Sequence, residues 1–112
     1  MPTLFERIIA RELPADIVYE DEELIAIKDK YPKAPVHLLL IPKKVIPDLQ
    51  SLSKEHFYLL GKIVSVAQEL AIKFELLPDG YRLLTNNGTD AGQTIFHLHF
   101  HLLGGHELGE MG

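Results

Sequence analysis

The chain has 112 residues, 46% of them hydrophobic, no cysteine and a formal net charge of -5. This predicts one compact domain over residues 1–112, without disulfides or thiolate metal ligands. The acidic balance excludes the basic field of a general nucleic-acid binder, and no apolar run approaches the roughly 18 residues of a membrane span. Met1-Pro2-Thr3-Leu4-Phe5-Glu6-Arg7 lacks the basic and apolar regions of a signal peptide, so the expectation is a soluble cytoplasmic protein acting on small molecules.

Thr3-x-x-Glu6 is a capping-box pattern, and Leu4, Phe5, Ile8 and Ile9 follow at helical spacing, which predicts a short amphipathic helix over about residues 3 to 11 that Pro14 ends. Ile17-Val18-Tyr19-Glu20 and Leu24-Ile25-Ala26-Ile27 read as a hairpin across Asp21-Glu22. After the Tyr31-Pro32-Lys33-Ala34-Pro35 turn, Val36-His37-Leu38-Leu39-Leu40-Ile41 is a third strand closed by Pro42, and the order suggests a meander. Ser53 is the expected N-cap of a long helix whose core stripe is Phe57, Leu60, Val64, Ala67, Leu70, Phe74 and Leu77. Lys54, Lys62, Gln68, Glu69 and Lys73 fall on its solvated side. Pro78-Asp79-Gly80 stops that helix, Tyr81-Arg82-Leu83-Leu84-Thr85 is a fourth strand, and a polar glycine-bearing loop runs from Asn86 to Thr94. Strand runs interrupted by one helix, with no regular βαβ alternation, predict an α+β domain on an antiparallel five-stranded sheet.

The fifth strand carries the chemistry. In His97-Leu98-His99-Phe100-His101-Leu102-Leu103 the period of two puts three imidazoles on one face and Leu98, Phe100 and Leu102 on the other. Structural histidines are the bland reading, but it must be invoked three times on one face. Zinc is a second reading, weakened because one strand does not easily focus His97 and His101 on one ion and no cysteine helps. Nothing in the sequence brings His56 or His106 near. Nucleophilic catalysis is the third: an imidazole attacks phosphorus if its other nitrogen is held by an acceptor and neighbouring donors neutralise the phosphate oxygens. The central His99 suits that role, with His101 on one side, the Gln93-Thr94 turn on the other, and His37 a candidate from the third strand. Gly92 lets the loop backbone approach a ligand, although by itself this loop equally reads as an ordinary connection.

His-φ-His-φ-His-φ-φ followed by Gly104-Gly105 resembles the signature of the histidine triad (HIT) family, in its nucleotide-binding (Hint) branch. Leu4-Phe5-Glu6-Arg7-Ile8-Ile9, Tyr19-Glu20-Asp21, Ala34 to Lys44, Gly80-Tyr81-Arg82 and Gly92-Gln93-Thr94 resemble that branch in order and spacing. The resemblance implies a HIT-like domain with one long and one short N-terminal helix, and a homodimer with no cofactor. It also implies a purine nucleotide pocket and hydrolysis of nucleoside 5′-phosphoramidates, such as AMP joined to an amine, through a nucleotidyl-histidine. By position, His99 is the implied nucleophile, oriented by the carbonyl of His97, while His101, Gln93, Thr94 and Asn86 hold phosphate or leaving group. Asp29 accepts from the ribose hydroxyls, or is only a turn residue. Phe5, Ile8 and Ile27 wall the base, or are plain core. The chain departs from well-known animal members at Lys28 and Val45, where they carry histidine, at Thr94, where they carry serine, and in its short tail, His106 to Gly112. Two other readings remain: a nucleotide-binding regulator with little turnover, and a zinc-binding module.

Overall fold

A computed structural model describes residues 1–111, so Gly112 lies outside the described residues. The first helix, α1 (Leu4–Ile9), starts on the expected capping box: the Thr3 hydroxyl accepts from the Glu6 amide at 3.1 Å, and the Glu6 carboxylate accepts from the Thr3 amide at 2.9 Å. It is shorter than its sequence pattern. Arg11 turns into the left-handed region at φ 64°, so the chain has left the helix before it reaches Pro14.

Five strands follow: β1 (Ile17–Glu20), β2 (Leu24–Lys28), β3 (Val36–Pro42), β4 (Tyr81–Leu84) and β5 (Phe100–Gly104). They form one sheet in the order β1-β2-β3-β5-β4 with every pair antiparallel. The first three strands make the expected meander. The last strand in the chain then enters between β3 and β4, which gives the histidine segment neighbours on both sides. That segment joins the sheet later than its alternation suggests, because β5 begins only at Phe100, opposite Leu40. Pro42 closes β3 and has no N–H to continue a ladder toward His97.

Alternation along the strands divides the core into two layers. Leu24 and Ala26, Leu38 and Leu40, and Leu102 pack under the long helix, α2 (Tyr58–Lys73). Ile25, Ile27, Leu39 and Ile41 face the other way, against Phe5 and Ile8 of α1. The second face also carries His37 and His101, which are in register with that set. The sheet thus separates a helix-covered side from a side that α1 covers only in part.

The structure corrects two expectations about α2. Ser53 does not cap it: its hydroxyl lies 3.0 Å from His56 Nδ1, and a short 3-10 turn over Lys54–His56 precedes the helix. The inward stripe is also rotated by about one residue. Leu59, Ile63, Val66, Ala67, Leu70 and Ala71 are buried, while Phe57, Val64 and Leu77 of the expected stripe are exposed. Both stripes are apolar, so periodicity alone does not choose between them; the one containing two alanines lets the helix come close to the sheet. No helix of the described residues is long and apolar enough to cross a membrane.

One polar cluster pins α2 to the β1–β2 turn. The Asp21 carboxylate accepts from Tyr19 Oη at 2.6 Å and from the amides of Glu23 and Leu24 at 2.7 and 2.8 Å, and Lys62 Nζ stands 3.2 Å away. Partial burial works to raise its pKa, but these hydrogen bonds prevail and hold it well below the usual carboxylate range. Its contribution to stability is therefore full above the unfolded value of about 3.9 and is lost as pH falls through the lower folded value. Asp21→Asn is expected to lower the thermal midpoint at pH 7, with the gap to the parent closing below about pH 4. Ile63→Ala, at a fully buried position, is expected to cost about 2–5 kcal/mol in denaturant unfolding; an unchanged midpoint would contradict the inward face assigned to α2.

Candidate active site

The site is organised by the histidines, and each ring has a fixed tautomer. His97 is fully buried. Its Nε2 is 2.7 Å from the carbonyl of Pro42, which only accepts, so Nε2 carries the proton and Nδ1 accepts from the Thr3 hydroxyl at 3.1 Å. His99 Nδ1 is 2.7 Å from the carbonyl of His97 and must donate to it. Its Nε2 is left with a free lone pair. Thr85 Oγ1 in turn donates to the carbonyl of His99 at 2.7 Å, which holds the peptide that carries the ring.

A second chain of bonds fixes His101. The backbone N–H of Lys33 donates to His37 Nδ1 at 2.9 Å, so the proton of the buried His37 ring is on Nε2. That N–H lies 2.9 Å from His101 Nδ1 and 3.3 Å from Asp29 Oδ2. His101 Nδ1 is thereby an acceptor, and its own proton sits on Nε2. One ring presents a lone pair and its neighbour, 5.2 Å away between centroids, presents an N–H.

Burial keeps all of these rings neutral. It lowers the pKa of His97, His99 and His37, and that of His101, whose protonated form would also be repelled by a protonated His99 or His37, falls to about 4. Phe5 contributes by standing edge-on to His99 at 4.9 Å and to His97 at 5.9 Å. A neutral imidazole with its lone pair exposed is a nucleophile, whereas a protonated one is not.

His99 and His101 open into a cleft of about 430 Å³ that Asp29, His37, Asn86 and Thr94 also line. Gly92 is part of its wall. The backbone there has φ 97°, which favours glycine, and the Asn86 amide stands beside it without crowding, 4.0 Å from where a Cβ would lie. Thr94 and Asn86 thus present a hydroxyl and an amide near the His99 lone pair and the His101 N–H, the donor set that a phosphate needs.

Several sequence-predicted residues sit elsewhere. His97 does not face the cleft; it reaches the site through its carbonyl alone. Gln93 is buried with its carboxamide fully used: Nε2 donates to the carbonyls of Pro47 and Ile95, and Oε1 accepts from the Gly88 amide at 2.8 Å. It braces the loop rather than lining the cavity. Phe5, Ile8 and Ile27 belong to the buried layer under α1, which is the core-packing alternative for them. Asp29 does more than terminate a turn, since its carboxylate touches both the Tyr31 amide and His37.

The structure also places His106 in the cleft, together with Lys33, Arg82, Leu108 and Gly109. Sequence order gave no hint of this for His106, because the reversal after β5 depends on where the tail is held. Thr3 was likewise legible only as a cap, and its contact with His97 spans nearly the whole chain.

Asp29, His37 and His101 bring one ligand atom each within 4.8 Å of one another, close enough to suggest a metal. The tautomers argue against it. His37 Nε2 has a proton where a metal needs a lone pair, and releasing it would require His37 Nδ1 to give up the Lys33 amide.

A profile of the HIT domain matches residues 10–108. The chain is 45% identical over 109 residues to the purine nucleoside phosphoramidase of Escherichia coli K12, covering 97% of this chain and 92% of that protein. It is 50% identical over 111 residues to a HIT-like protein of Chlamydia trachomatis, with 99% of both chains covered. A solved HIT family hydrolase from Clostridium thermocellum superposes with a TM-score of 0.93 at 48% identity, covering 96% of this chain and 94% of that one.

Two measurements check the geometry. Gln93→Ala is expected to speed amide hydrogen exchange at Gly88, whose N–H loses its acceptor, with unchanged exchange counting against the brace. Nitrogen NMR is expected to find His101 protonated on Nε2 and neutral down to about pH 4. Because the folded pKa is lowered, the unfolded rings take up protons first, so this group's contribution to stability declines as pH falls below about 6.5.

Proposed function

The chain belongs to the histidine triad family, and on that premise we propose that it hydrolyses purine nucleoside 5′-phosphoramidates of the AMP–amine type through a nucleotidyl-histidine. The observation that carries this reading is the opposite protonation of two adjacent rings, a lone pair on His99 Nε2 beside an N–H on His101 Nε2. The activity of the Escherichia coli relative supports it.

In the first step the His99 Nε2 lone pair attacks phosphorus as the P–N bond breaks, and the leaving nitrogen, hydrogen-bonded by His101 Nε2–H, departs as the amine with a proton taken from solvent. The Nδ1–H of His99 stays on the carbonyl of His97, which stabilises the positive charge the ring acquires. In the second step water attacks phosphorus and loses its proton to solvent as the His99–phosphorus bond breaks, with His101 Nε2–H again donating at phosphorus. Thr94 and Asn86 donate to the phosphate oxygens throughout, with Gly92 allowing close approach. Asp29 takes the ribose hydroxyls beside His37. Gln93 and His97 act by holding the loop and the nucleophile.

A regulator that only binds nucleotide would not need a neutral nucleophile aligned by a carbonyl. His99→Ala is expected to lower kcat by several orders of magnitude while AMP affinity barely moves, and His101→Ala by about 10²–10³-fold. Mass spectrometry of the parent protein with adenosine 5′-phosphoramidate is expected to reveal an AMP adduct that His99→Ala lacks. A His99→Ala protein within about tenfold of the parent rate would overturn the nucleophile.

The working form is a homodimer on this reading. Support comes from the exposed stripe of Phe57, just before α2, and Val64 and Ile72 on it, at 50%, 46% and 63% exposure, which runs on the side of that helix away from the sheet. β4 is also a sheet edge, paired with β5 on one side and with no strand on the other among the described residues. Sedimentation is expected to give a dimer that Val64→Glu dissociates; a monomeric parent would overturn it.

A further inference from the structure

His99 stands outside the sheet that its neighbours join. The ladders of β5 end at Phe100 against β3 and at His101 against β4, so the run from His97 to His99 has no paired strand on either side. The bond from His99 Nδ1 to the carbonyl of His97 is internal to that run. It fixes the ring relative to His97 and leaves the run as a whole to be held by other contacts.

Those contacts come from three directions. The peptide whose carbonyl holds the His99 ring also has an N–H, that of Leu98, which donates to the carbonyl of Ile46 at 2.6 Å. The His97 ring donates to the carbonyl of Pro42, so both of these bonds reach back to the end of β3. Thr85, just past β4, takes the carbonyl of His99. From α1 comes the Thr3 hydroxyl, on the sheet face that carries the cleft.

This hydroxyl has two duties. Its oxygen accepts from the Glu6 amide, which caps α1, and its one proton goes to His97 Nδ1. The second bond is the one the ring cannot replace. With Nε2–H on Pro42, Nδ1 is a lone pair, and the ring is fully buried with Phe5 edge-on to it. A buried acceptor that loses its donor either takes up a proton, which the nearby Glu6 carboxylate favours, or turns to find a partner. A cation at His97 opposes the positive charge that His99 acquires on attack, and a turned ring shifts the carbonyl that aims it.

We propose that Thr3 is a positioning residue of the reaction: its hydroxyl proton keeps the His97 ring neutral and seated, and through the His97 carbonyl it aims His99 at phosphorus. The proposal rests on the phosphoramidase reading and adds to it a residue of the first helix cap that does not line the cleft.

The test separates the two duties. Thr3→Ser keeps both; Thr3→Asp keeps the cap, since a carboxylate accepts the Glu6 amide, but has no proton for His97 Nδ1; Thr3→Val keeps neither. Slow amide exchange at Glu6 checks that Thr3→Asp retains the cap. With adenosine 5′-phosphoramidate, Thr3→Val and Thr3→Asp are expected to lower kcat by about 10²-fold, as for a nucleophile about 1 Å out of place, with KM within about threefold. Thr3→Ser is expected to stay within about threefold of the parent. Nitrogen NMR at neutral pH is expected to find both His97 nitrogens protonated in Thr3→Asp, where the parent has one. A rate lost in Thr3→Val and kept in Thr3→Asp would assign the hydroxyl to the helix alone and overturn the proposal, as would parent rates in both. If the parent cleaves no phosphoramidate, the hydrolase reading fails on its own. The spectra then decide the positioning role: His99 ring signals displaced in Thr3→Asp and Thr3→Val sustain it, and signals unmoved from the parent overturn it.

Discussion

Pro42 ends β3 with a carbonyl and no N–H, and the ring of His97 takes that carbonyl in the protein interior. Three parts of the structure meet at this contact. The other nitrogen of the same ring accepts from Thr3, whose hydroxyl also starts α1. The main-chain carbonyl of the same residue holds His99. A buried imidazole with both nitrogens satisfied is rigid, and losing either partner leaves a buried polar atom, which costs about 1–3 kcal/mol. The position of the His99 ring is thus tied to the end of one strand and to the cap of one helix.

From that anchor the electrostatics of the site follow. The rings occupy the sheet face that α1 leaves partly open, where burial disfavours charge and each proton has one place to go. Carbonyls fix His97 and His99 in opposite tautomers, and the Lys33 amide, acting through His37, fixes His101. The two chains of bonds come from opposite ends of β3. Neither uses a carboxylate as the orienting acceptor, so neither carries a formal negative charge into the cleft from below; the Asp29 carboxylate enters from the end of β2.

The framework divides its work between the two sheet faces. α2 seals one face with an aliphatic layer and is pinned by Lys62 to the β1–β2 turn, which keeps the strands in register without touching the chemistry. The other face exposes loops. The Asn86–Thr94 loop is braced from within by Gln93, and the segment after β3 supplies the Pro47 carbonyl for that brace and the Ile46 carbonyl for the Leu98 amide. Rigid strands and a braced loop hold the Asn86 amide and the Thr94 hydroxyl in place at the cleft.

Much of this was legible in the residues. The capping box of Thr3 and Glu6, the alternation of His97 to Leu103 and the proline at the end of β3 are local patterns whose physics acts within a few residues, so spacing alone reveals them. The inward stripe of α2 was not, because Leu60 and Val64 make as good an apolar row as Leu59 and Ile63; only packing against Leu38 and Leu102 selects the one that fits. The fate of Gln93 was hidden for a similar reason: a carboxamide beside a glycine loop reads as a ligand donor until Pro47, far away in sequence, claims it. Arg82 and His106 enter the cleft only because β5 inserts between β3 and β4 and the tail doubles back at Gly105. Sequence determined which side chains could do chemistry and on which face they alternate, since those depend on backbone periodicity. Tertiary structure decided which of them share a cavity and which nitrogen of each ring holds its proton, since those depend on partners brought together from distant parts of the chain.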